Sequence, residues 1–279
     1  LPLRKRAKTI VTVHDLTPLV FPRAFPSGIK GKIRWLIQRQ TLRSADAVIA
    51  DSEASKKDIL HFTGLPDKKV HVVYLAAGEE FTEAGKKAAK NDIIKKYQLP
   101  EKFALYVGDV TWNKNLPRLV EAALKADIPL VMVGKALSEK DFDTTNPWNA
   151  DRVQLEKLIN GEKNIFRLGF IPTDDLIALY KSAQVFVMPS LYEGFGLPIL
   201  EAMSCGCPVI TTKEGSLPEV AGDAAYYVDA YSVVSISKGI EAVFKNQRLQ
   251  KELQRKGFEQ AKKFTWKKTA LETIHVYES

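Results

Sequence analysis

The sequence has few of the features that would indicate a disulfide-bonded, zinc-binding or membrane-spanning protein. Among its 279 residues there are two cysteines, Cys205 and Cys207. These are too few for a disulfide framework or a two-pair zinc site, so we expect both to fill small spaces in a core. No apolar run approaches the roughly 20 residues that cross a bilayer, and the start, LPLRKRAKTIVTVHDL, lacks a cleavable signal pattern. With 45% apolar residues, the chain is predicted to be globular and to work in the cytoplasm.

Acidic residues are almost absent from the first 45 positions. This stretch holds ten Lys or Arg and one acid, Asp15, while the net charge of the whole chain is +8. Within GIKGKIRWLIQRQTLR, the residues Ile29, Ile33, Leu36 and Ile37 recur at helical spacing with cations between them, which predicts a basic amphipathic helix. Two interpretations stay open: a solvated outer face on a packed helix, or attraction of residues 1–45 to an anionic lipid surface or a phosphorylated acceptor.

The second interpretation predicts work at the inner face of the membrane. Nucleic acid is not expected as a partner, because no aromatic-interleaved basic stretch or recognised binding motif accompanies the charge.

Short β-branched runs alternate with amphipathic stretches from about residue 103 onwards. The runs include FALYVG, PLVMVG, NIFRLG, VFVMPS and PVITT. Nearly continuous apolar strands alternating with helices predict a doubly wound α/β domain, with a parallel sheet covered on both faces. Ligands of such a sheet bind beyond the carboxyl ends of the strands.

The first hundred residues repeat this pattern in a shorter form, with three predicted strands in TIVTVHD, DAVIAD and KVHVVYL. The polar stretch that follows favours a boundary near residues 76 to 100. We therefore expect a first domain over residues 1–95 and a second over 96–263. A terminal helix over 264–279, capped by Thr265, is expected to join the first domain.

The stretch SLYEGFGLPILEAMSCGCPVITT contains a candidate anion site. After the strand VFVMPS, Pro198 suits a helix start and Gly206 a helix end. Gly194 and Gly196 can adopt backbone angles that other residues resist, so successive amides could converge on a phosphate at the helix N-terminus. Glycines before a helix can also be merely a tight connection.

Two glutamates, Glu193 and Glu201, flank this candidate anion site. Acids near a helix N-terminus can simply complement its dipole. A carboxylate is also a good acceptor for pairs of sugar or ribose hydroxyls. The pair therefore suggests a ligand with hydroxyl groups on both sides of a phosphate.

The segment EGFGLPILEAMSCGCPVITT, with its two glutamates separated by seven residues, resembles the signature of the family 4 retaining glycosyltransferases of the GT-B fold. The segments TVHDLTPL, LYVGDVTWNKNLPRLVEA, FRLGFIPTDDLIALYKSA and GSLPEVAGDAAYYVD are similar to other landmarks of the family, in the expected order. The resemblance covers about residue 8 to the C-terminus. It implies two Rossmann-like domains facing a cleft, of which the N-terminal one is incomplete in this chain.

The resemblance also implies roles for individual residues. Glu193 would hold donor sugar hydroxyls and stabilise charge at the reacting carbon, Glu201 would hold the ribose, and Lys114 would neutralise the diphosphate. His14 would face the donor from the first domain, while Asp15 would orient the loop. The remaining donor-binding positions implied are Asn113, the loop of Gly169, Phe170 and Ile171 facing the nucleobase, and the backbone of Gly194, Phe195, Gly196 and Leu197.

The sequence departs from the family pattern in its cations. Many members carry an arginine beside this lysine or a few residues before it, but here the corresponding positions are Asn113 and Asp109. Two carboxylates beside a diphosphate need compensating positive charge. The departure therefore predicts a strong dependence on Lys114 and on the helix terminus, unless another cation substitutes.

Asp141 and Asp143 are candidate metal ligands, because the sequence DFD resembles the metal-binding acid pair of the other common glycosyltransferase fold. The acids lie in the polar insertion ALSEKDFDTTNPWNAD, with no strand leading into them. A solvated loop is the favoured interpretation, so no metal requirement and no cofactor are expected.

The function implied is retaining transfer of a hexose from a nucleotide-diphosphate sugar to a glycan or lipid-linked acceptor in polysaccharide assembly. GDP-mannose is slightly favoured, because HDLTPL resembles a form common among mannosyltransferases, with UDP-glucose close behind. The alternatives are a catalytically inactive nucleotide-sugar binding module and a GT-B nucleotide-sugar epimerase.

The short first domain also leads to an expectation about assembly. A three-stranded sheet that ends the molecule would leave a strand edge and apolar surface uncovered. Self-association through the first domain is therefore expected.

Overall fold

A computed structural model describes residues 7–82, 90–139 and 141–279. The basic residues at positions 4–6 lie outside the described residues, as do residues 83–89 of the predicted boundary near residues 76 to 100. Within the described part, two separate parallel sheets form, as the fold prediction required. The division into domains at residues 95 and 263 stays a prediction.

The first sheet is the smaller of the two and follows the three predicted strands. Its order is β1-β2-β3, and both pairings are parallel. Its strands are β1 (Ile10–Val13), β2 (Ala47–Ala50) and β3 (Val70–Val72), and the helices between them are α1 (Thr17–Val20), α2 (Gly28–Ser44) and α3 (Glu53–Thr63). β2 is buried along its whole length, because α2 and α3 cover one face of this sheet and the last helix of the chain covers the other.

The second sheet has the order β6-β5-β4-β7-β8-β9 with parallel pairings throughout. Its strands are β4 (Ala104–Val107), β5 (Leu130–Val133), β6 (Ile165–Leu168), β7 (Val185–Met188), β8 (Val209–Thr211) and β9 (Ala225–Tyr227). The strand order reverses between the neighbours β4 and β7. Such a reversal opens a crevice beyond the carboxyl ends of the two strands, where ligands of doubly wound sheets bind.

The helices of the second half cover both faces of this sheet. They are α4 (Lys90–Lys96), α5 (Leu116–Ala126), α6 (Ala150–Ile159), α7 (Thr173–Ser182), α8 (Leu197–Ser204), α9 (Leu217–Ala221), α10 (Val233–Phe244) and α11 (Gln247–Ala261). Alternate residues of β4 enter different cores, with Leu105 on one face and Ala104 and Tyr106 on the other. The strands are nearly continuously apolar for this reason. Cys205 and Cys207 are buried in the first of these cores, as predicted.

The final helix, α12 (Trp266–Glu278), returns to the first sheet. Thr265 caps it as predicted, by accepting a hydrogen bond from the backbone of Lys268 at 3.2 Å. Val276 packs with residues of β2, and the Thr269 hydroxyl donates to the Tyr74 carbonyl at 2.6 Å.

The basic helix α2 presents an unexpected apolar face. Its buried residues include Leu42, and Trp35 packs against the same core. The residues that suggested amphipathicity lie on the outside and are between 51% and 79% exposed: Ile29, Ile33, Leu36 and Ile37. The helix therefore packs through another face, and the four apolar residues that define its amphipathic pattern point away from the core. No helix in the described part of the chain is both long and apolar enough to cross a membrane.

Candidate functional site

Two residues predicted to meet the donor, Lys114 and Glu193, lie at the strand reversal of the second sheet. Lys114 follows β4 in a short turn before α5, and Glu193 lies in the loop between β7 and α8. Because β4 and β7 are neighbours, these two loops meet at the carboxyl edge of the sheet, although they are far apart in the sequence.

Lys114 and Glu193 form a close ion pair. The Lys114 ammonium donates to both carboxylate oxygens of Glu193, at 2.8 and 2.9 Å. The Glu193 side chain is 9% exposed and that of Lys114 20% exposed. A carboxylate this deeply buried needs a cation within contact distance, since unpaired it would carry a large desolvation cost. The sequence led us to expect each residue to contact the donor, and the structure pairs the two residues with each other.

The N-terminus of α8 offers a set of free backbone donors. Within the described part of the chain, no protein acceptor receives the amide hydrogens of residues 194–197. Gly196 has a φ of +105°, in the left-handed region that glycine tolerates, and Pro198 occupies the first turn of the helix. Free amides combined with the helix dipole can bind an anion. The anion site itself stays a prediction.

Gly194 is needed for a different reason from the one we expected. It does not adopt a left-handed backbone angle. A Cβ at this position would lie 2.6 Å from the His14 carbonyl oxygen and 2.7 Å from the Asp15 Cβ. Gly194 therefore lets the loop after β1 in the first sheet contact the loop before α8 in the second, and it brings His14 beside the candidate anion site.

We expect Gly194→Ala to separate these two loops, because a Cβ would overlap the backbone of His14. Overlap of this kind costs about 1–3 kcal/mol and should lower transfer activity as well as the free energy of unfolding. Denaturant unfolding and an activity assay on the same sample measure both effects.

Gly161→Ala is the control for Gly194→Ala. Gly161 has a φ of +84°, and a Cβ there would meet nothing within 4 Å. It should lose about 1 kcal/mol of stability to backbone strain and keep its activity. Equal activity in the two variants would contradict the role assigned to Gly194.

Asn113, a predicted donor-binding residue, uses its side chain for hydrogen bonds within the protein. Its side-chain amide donates to the Tyr192 carbonyl at 3.0 Å, and its side-chain oxygen accepts from the Thr111 hydroxyl at 2.7 Å. Asn113 is buried, so its visible role is to hold the Lys114 turn against the loop that carries Glu193. Its contact with a donor stays a prediction.

His14 has a partner that the sequence interpretation missed. Its Nδ1 lies 2.7 Å from Oδ2 of Asp51, whose side chain is 3% exposed. Burial raises the pKa of Asp51 above its ordinary value, although the hydrogen bond with His14 acts in the opposite direction. The other carboxylate oxygen of Asp51 is buried and meets no hydrogen-bond donor in the described part of the chain.

The strand register contained the signal for this partner. Val13 of β1 pairs with Ala50 of β2, so the residues that follow, His14 and Asp51, leave adjacent parallel strands side by side. Asp15 acts locally, as expected, by accepting a hydrogen bond from the Thr17 amide at 2.9 Å. Asp51 therefore holds the imidazole ring, whose side chain is 73% exposed.

Glu201 lies one turn into α8, as the sequence indicated. One carboxylate oxygen accepts a hydrogen bond from the Tyr180 hydroxyl at 3.0 Å. Burial raises the pKa of Glu201, and the charge of Glu80 acts in the same direction. The expected contact with a ribose stays a prediction.

The loop predicted to face a nucleobase has one hydrophobic side chain on the surface and the next one in the core. Phe170 is 83% exposed, whereas Ile171 is buried in the core of the second sheet. Gly169 lies so close to Ser138 that a Cβ at this position would overlap the Ser138 hydroxyl oxygen. Phe195 likewise points into the core, against Tyr74 and Phe264. Its backbone, not its ring, therefore faces the anion site.

The DFD segment forms a local turn. The Asp143 carboxylate accepts hydrogen bonds from the Thr145 amide at 2.9 Å and the Thr145 hydroxyl at 2.6 Å, and these bonds lower the pKa of Asp143. Phe142 lies under the guanidinium of Arg152, which is 3.9 Å from the ring centroid.

Comparison with protein-family models gives two matches along the chain. The model described as "Glycosyl transferases group 1" matches residues 89–260, and the model described as "Glycosyltransferase Family 4" matches residues 1–77. Together they cover the first sheet and the second, including the Lys114, Glu193 and His14 loops.

Similar sequences include two bacterial mannosyltransferases. The chain is 32% identical to the O-antigen chain mannosyltransferase B of Escherichia coli, over 97% of its own length and 70% of that protein. It is 30% identical to the serotype-specific mannosyltransferase WbdA of Escherichia coli, over 94% of its own length and 32% of WbdA. The chain thus spans about a third of WbdA.

Similar solved structures include two proteins at lower sequence identity. Sucrose-phosphate synthase from Thermosynechococcus elongatus is similar over 97% of this chain and 67% of that chain, with a TM-score of 0.77 and 23% identity. Anabaena Alr3699/HepE in complex with UDP and glucose gives a TM-score of 0.77 and 20% identity over 97% of this chain and 71% of that one. At these identities the similarity shows the fold alone.

Proposed function

Because the chain belongs to the group 1 glycosyltransferase family, we propose that it transfers a mannose residue from GDP-mannose, with retention at the anomeric carbon, to a glycan or lipid-linked acceptor. The donor proposal is supported by the mannosyltransferases among its relatives. The relatives' names also support an acceptor in bacterial polysaccharide assembly.

The observation that carries the mechanism is the row of free amides at residues 194–197 beside the Lys114–Glu193 ion pair. A nucleotide diphosphate placed against these amides would compete with Glu193 for the Lys114 ammonium. Lys114 and the amides would then stabilise the leaving diphosphate. Glu193, released from Lys114, would accept hydrogen bonds from sugar hydroxyls and stabilise positive charge at the reacting carbon.

The donor proposal predicts a ranking in a panel of nucleotide sugars. We expect GDP-mannose to raise the melting temperature of the protein more than UDP-glucose, and to be turned over to GDP with or without an added mannoside acceptor. NMR of the glycoside product should show the anomeric configuration of the donor. Thermal shift, release of GDP and NMR are the three measurements.

The other outcomes of this panel are equally informative. Preference for UDP-glucose would overturn the donor proposal, and inversion at the anomeric carbon would overturn retention. Binding without turnover would indicate an inactive binding module. Stabilisation by no nucleotide sugar would contradict the functional assignment of the site.

We further propose that the exposed face of α2 lies on an anionic membrane surface. Its four exposed apolar residues form one stripe, and helical periodicity places cations on both sides of that stripe: Lys30 and Arg34 on one side, and Lys32 and Arg39 on the other. Helices that lie on membranes typically insert a stripe of apolar residues into the headgroup region, while cations on either side of the stripe bind anionic lipid.

We expect the protein to sediment with phosphatidylglycerol vesicles and not with phosphatidylcholine vesicles. Ile33→Gln combined with Leu36→Gln should weaken this binding at least about tenfold, because two apolar side chains leave the headgroup region. The matched control is Leu271→Gln with Ile274→Gln on α12, where both residues are also exposed. Unchanged binding of the α2 variant would refute the proposal. A fall in molecular mass without a change in vesicle binding would instead assign this face to self-association.

A further inference from the structure

The N-terminus of α3, in the first half of the molecule, is capped by a carboxylate from the second half. Glu219 of α9 accepts hydrogen bonds from the backbone amides of Glu53 and Ala54, both at 2.8 Å. The Tyr74 hydroxyl donates to the same carboxylate at 3.3 Å. These amides belong to the first turn of α3, where the helix dipole favours an anion. Glu219 thus fixes the position of α3 relative to the second sheet.

Two serines of this first turn bind the loop that carries the candidate anion site. The Ser52 hydroxyl donates to the Gly194 carbonyl at 2.7 Å. The Ser55 hydroxyl lies 3.1 Å from the same carbonyl and 3.2 Å from the His14 carbonyl. Both serines are at most 1% exposed, so water does not compete for these bonds.

A further hydrogen bond, on the other side of Glu193, also joins this loop to α3. The Tyr192 hydroxyl donates to Asp58, one turn further along α3. The loop before α8 is therefore held on either side of Glu193 by one helix of the other half of the molecule.

Because the peptide bond is planar, the contact of Ser52 and Ser55 with the Gly194 carbonyl also fixes the direction of an amide in the candidate anion site. The Gly194 carbonyl and the Phe195 amide belong to one planar trans peptide, so they point in opposite directions. When Ser52 and Ser55 hold the carbonyl, the Phe195 N–H is aimed away from α3, on the side of the free amides. Hydroxyls that donate to a carbonyl also polarise its peptide and strengthen the opposite N–H as a donor.

We propose that Glu219, Ser52 and Ser55 are positioning residues that let the first half of the molecule aim the Phe195 amide at the donor's diphosphate. The proposal rests on the function proposed above, in which the amides of residues 194–197 hold the diphosphate. A donor would then bind tightly only when α3 is seated against α9 and the Gly194 loop.

The experiment measures discrimination between a nucleoside diphosphate and its monophosphate. Isothermal titration calorimetry of the wild type with GDP and GMP, and with UDP and UMP, gives the ratio of the two dissociation constants for the preferred base. Glu219→Gln keeps the shape of the side chain but removes the charge that seats α3. We expect Glu219→Gln to lower the affinity for the diphosphate about tenfold and to leave the affinity for the monophosphate unchanged. The dissociation constant of the monophosphate divided by that of the diphosphate should therefore fall about tenfold.

Three further variants separate positioning from folding. Ser55→Ala removes one hydroxyl and leaves the cap residue Ser52 in place, and it should lower the same ratio. The double variant Glu219→Gln with Ser55→Ala should lose little more diphosphate affinity than either single variant, because both residues act on the same peptide. Glu53→Gln is the matched control, since it removes an exposed carboxylate from the same helix turn and should leave the ratio unchanged.

The failures of the two proposals can be told apart. A wild type that binds neither diphosphate contradicts the proposed function, and the positioning proposal with it. A wild type that discriminates, together with a Glu219→Gln variant that discriminates equally well at an unchanged melting temperature, overturns the positioning proposal alone. An equal loss for monophosphate and diphosphate would also overturn it, since that result indicates a general distortion of the site.

Discussion

Replacement of Lys114 by methionine is expected to lower transfer by at least about 100-fold and to destabilise the folded protein. Lys114 is the cation that contacts the buried Glu193 carboxylate. Its removal leaves that charge unpaired, which costs about 3–5 kcal/mol. Steady-state kinetics and denaturant unfolding measure the two losses. Lys125→Met is the control, because Lys125 is an exposed lysine near the end of α5, the helix that follows the Lys114 turn.

A double variant distinguishes the two roles of Lys114. Adding Glu193→Gln to Lys114→Met removes the unpaired charge, so the free energy of unfolding should return most of the way to the wild-type value. Activity should not return, because both the cation for the diphosphate and the carboxylate for the sugar are then missing. Recovery of transfer in the double variant would show that Lys114 serves only to neutralise Glu193.

The dependence on one lysine follows from the charges around it. At the two positions where the family resemblance led us to expect an arginine, the chain has Asn113, which donates to the Tyr192 carbonyl, and Asp109, which accepts from the Val110 amide. Neither residue would bring positive charge to a diphosphate bound at the proposed site. The free amides of residues 194–197 and the dipole of α8 must therefore contribute what an additional cation would supply.

The sequence was sufficient to predict the elements that position this site. Apolar runs bounded by glycine and proline predicted β4, β7 and α8, because local periodicity and helix-end chemistry determine where such elements begin and end. The Thr265 cap was predictable for the same reason. The location of Glu193 beyond the carboxyl end of β7 followed from the general rule for ligands in parallel sheets, whereas the strand order that makes β4 its neighbour did not.

The pairings across the chain were not predictable from local patterns. The Lys114–Glu193 and Glu219–α3 contacts join residues that are far apart in the sequence, so no periodicity indicates them. Gly194 was expected to need an unusual backbone angle, but it is required by the close approach of His14. The apolar residues of α2 had the spacing of a packed face, and only the three-dimensional structure shows that Trp35 and Leu42 face the core instead.

Replacement of Asp51 by asparagine is expected to change activity and stability in opposite directions. Asp51 accepts a hydrogen bond from His14 at 2.7 Å and thereby fixes the orientation of a ring that lies beside the anion site. An asparagine keeps the shape of the side chain but removes the carboxylate that accepts the hydrogen bond from the ring. Loss of an orienting partner of this kind typically lowers activity about 10–100-fold, so transfer should fall by that factor with little change in the KM for the donor.

Asp51→Asn should not lower the free energy of unfolding at neutral pH, although it lowers activity. Burial raises the pKa of Asp51 from its ordinary value of 3.8, so the folded protein binds this proton more tightly than the unfolded chain does. The resulting contribution to the unfolding free energy is fully present below pH 3.8 and is lost as the pH rises through the folded-state pKa. Asparagine does not titrate, so Asp51→Asn should match or exceed the wild type in denaturant unfolding at pH 7, and the two curves should converge in acid.

The control for the pH series is Asp223→Asn, which removes an exposed carboxylate from the second half and should follow the wild-type curve. If Asp51→Asn lost stability at pH 7 together with activity, Asp51 would be structural. If it kept full activity, the orienting role would be refuted. A variant that is less active but no less stable would show that the buried carboxylate beside His14 is retained for the reaction, at the expense of stability.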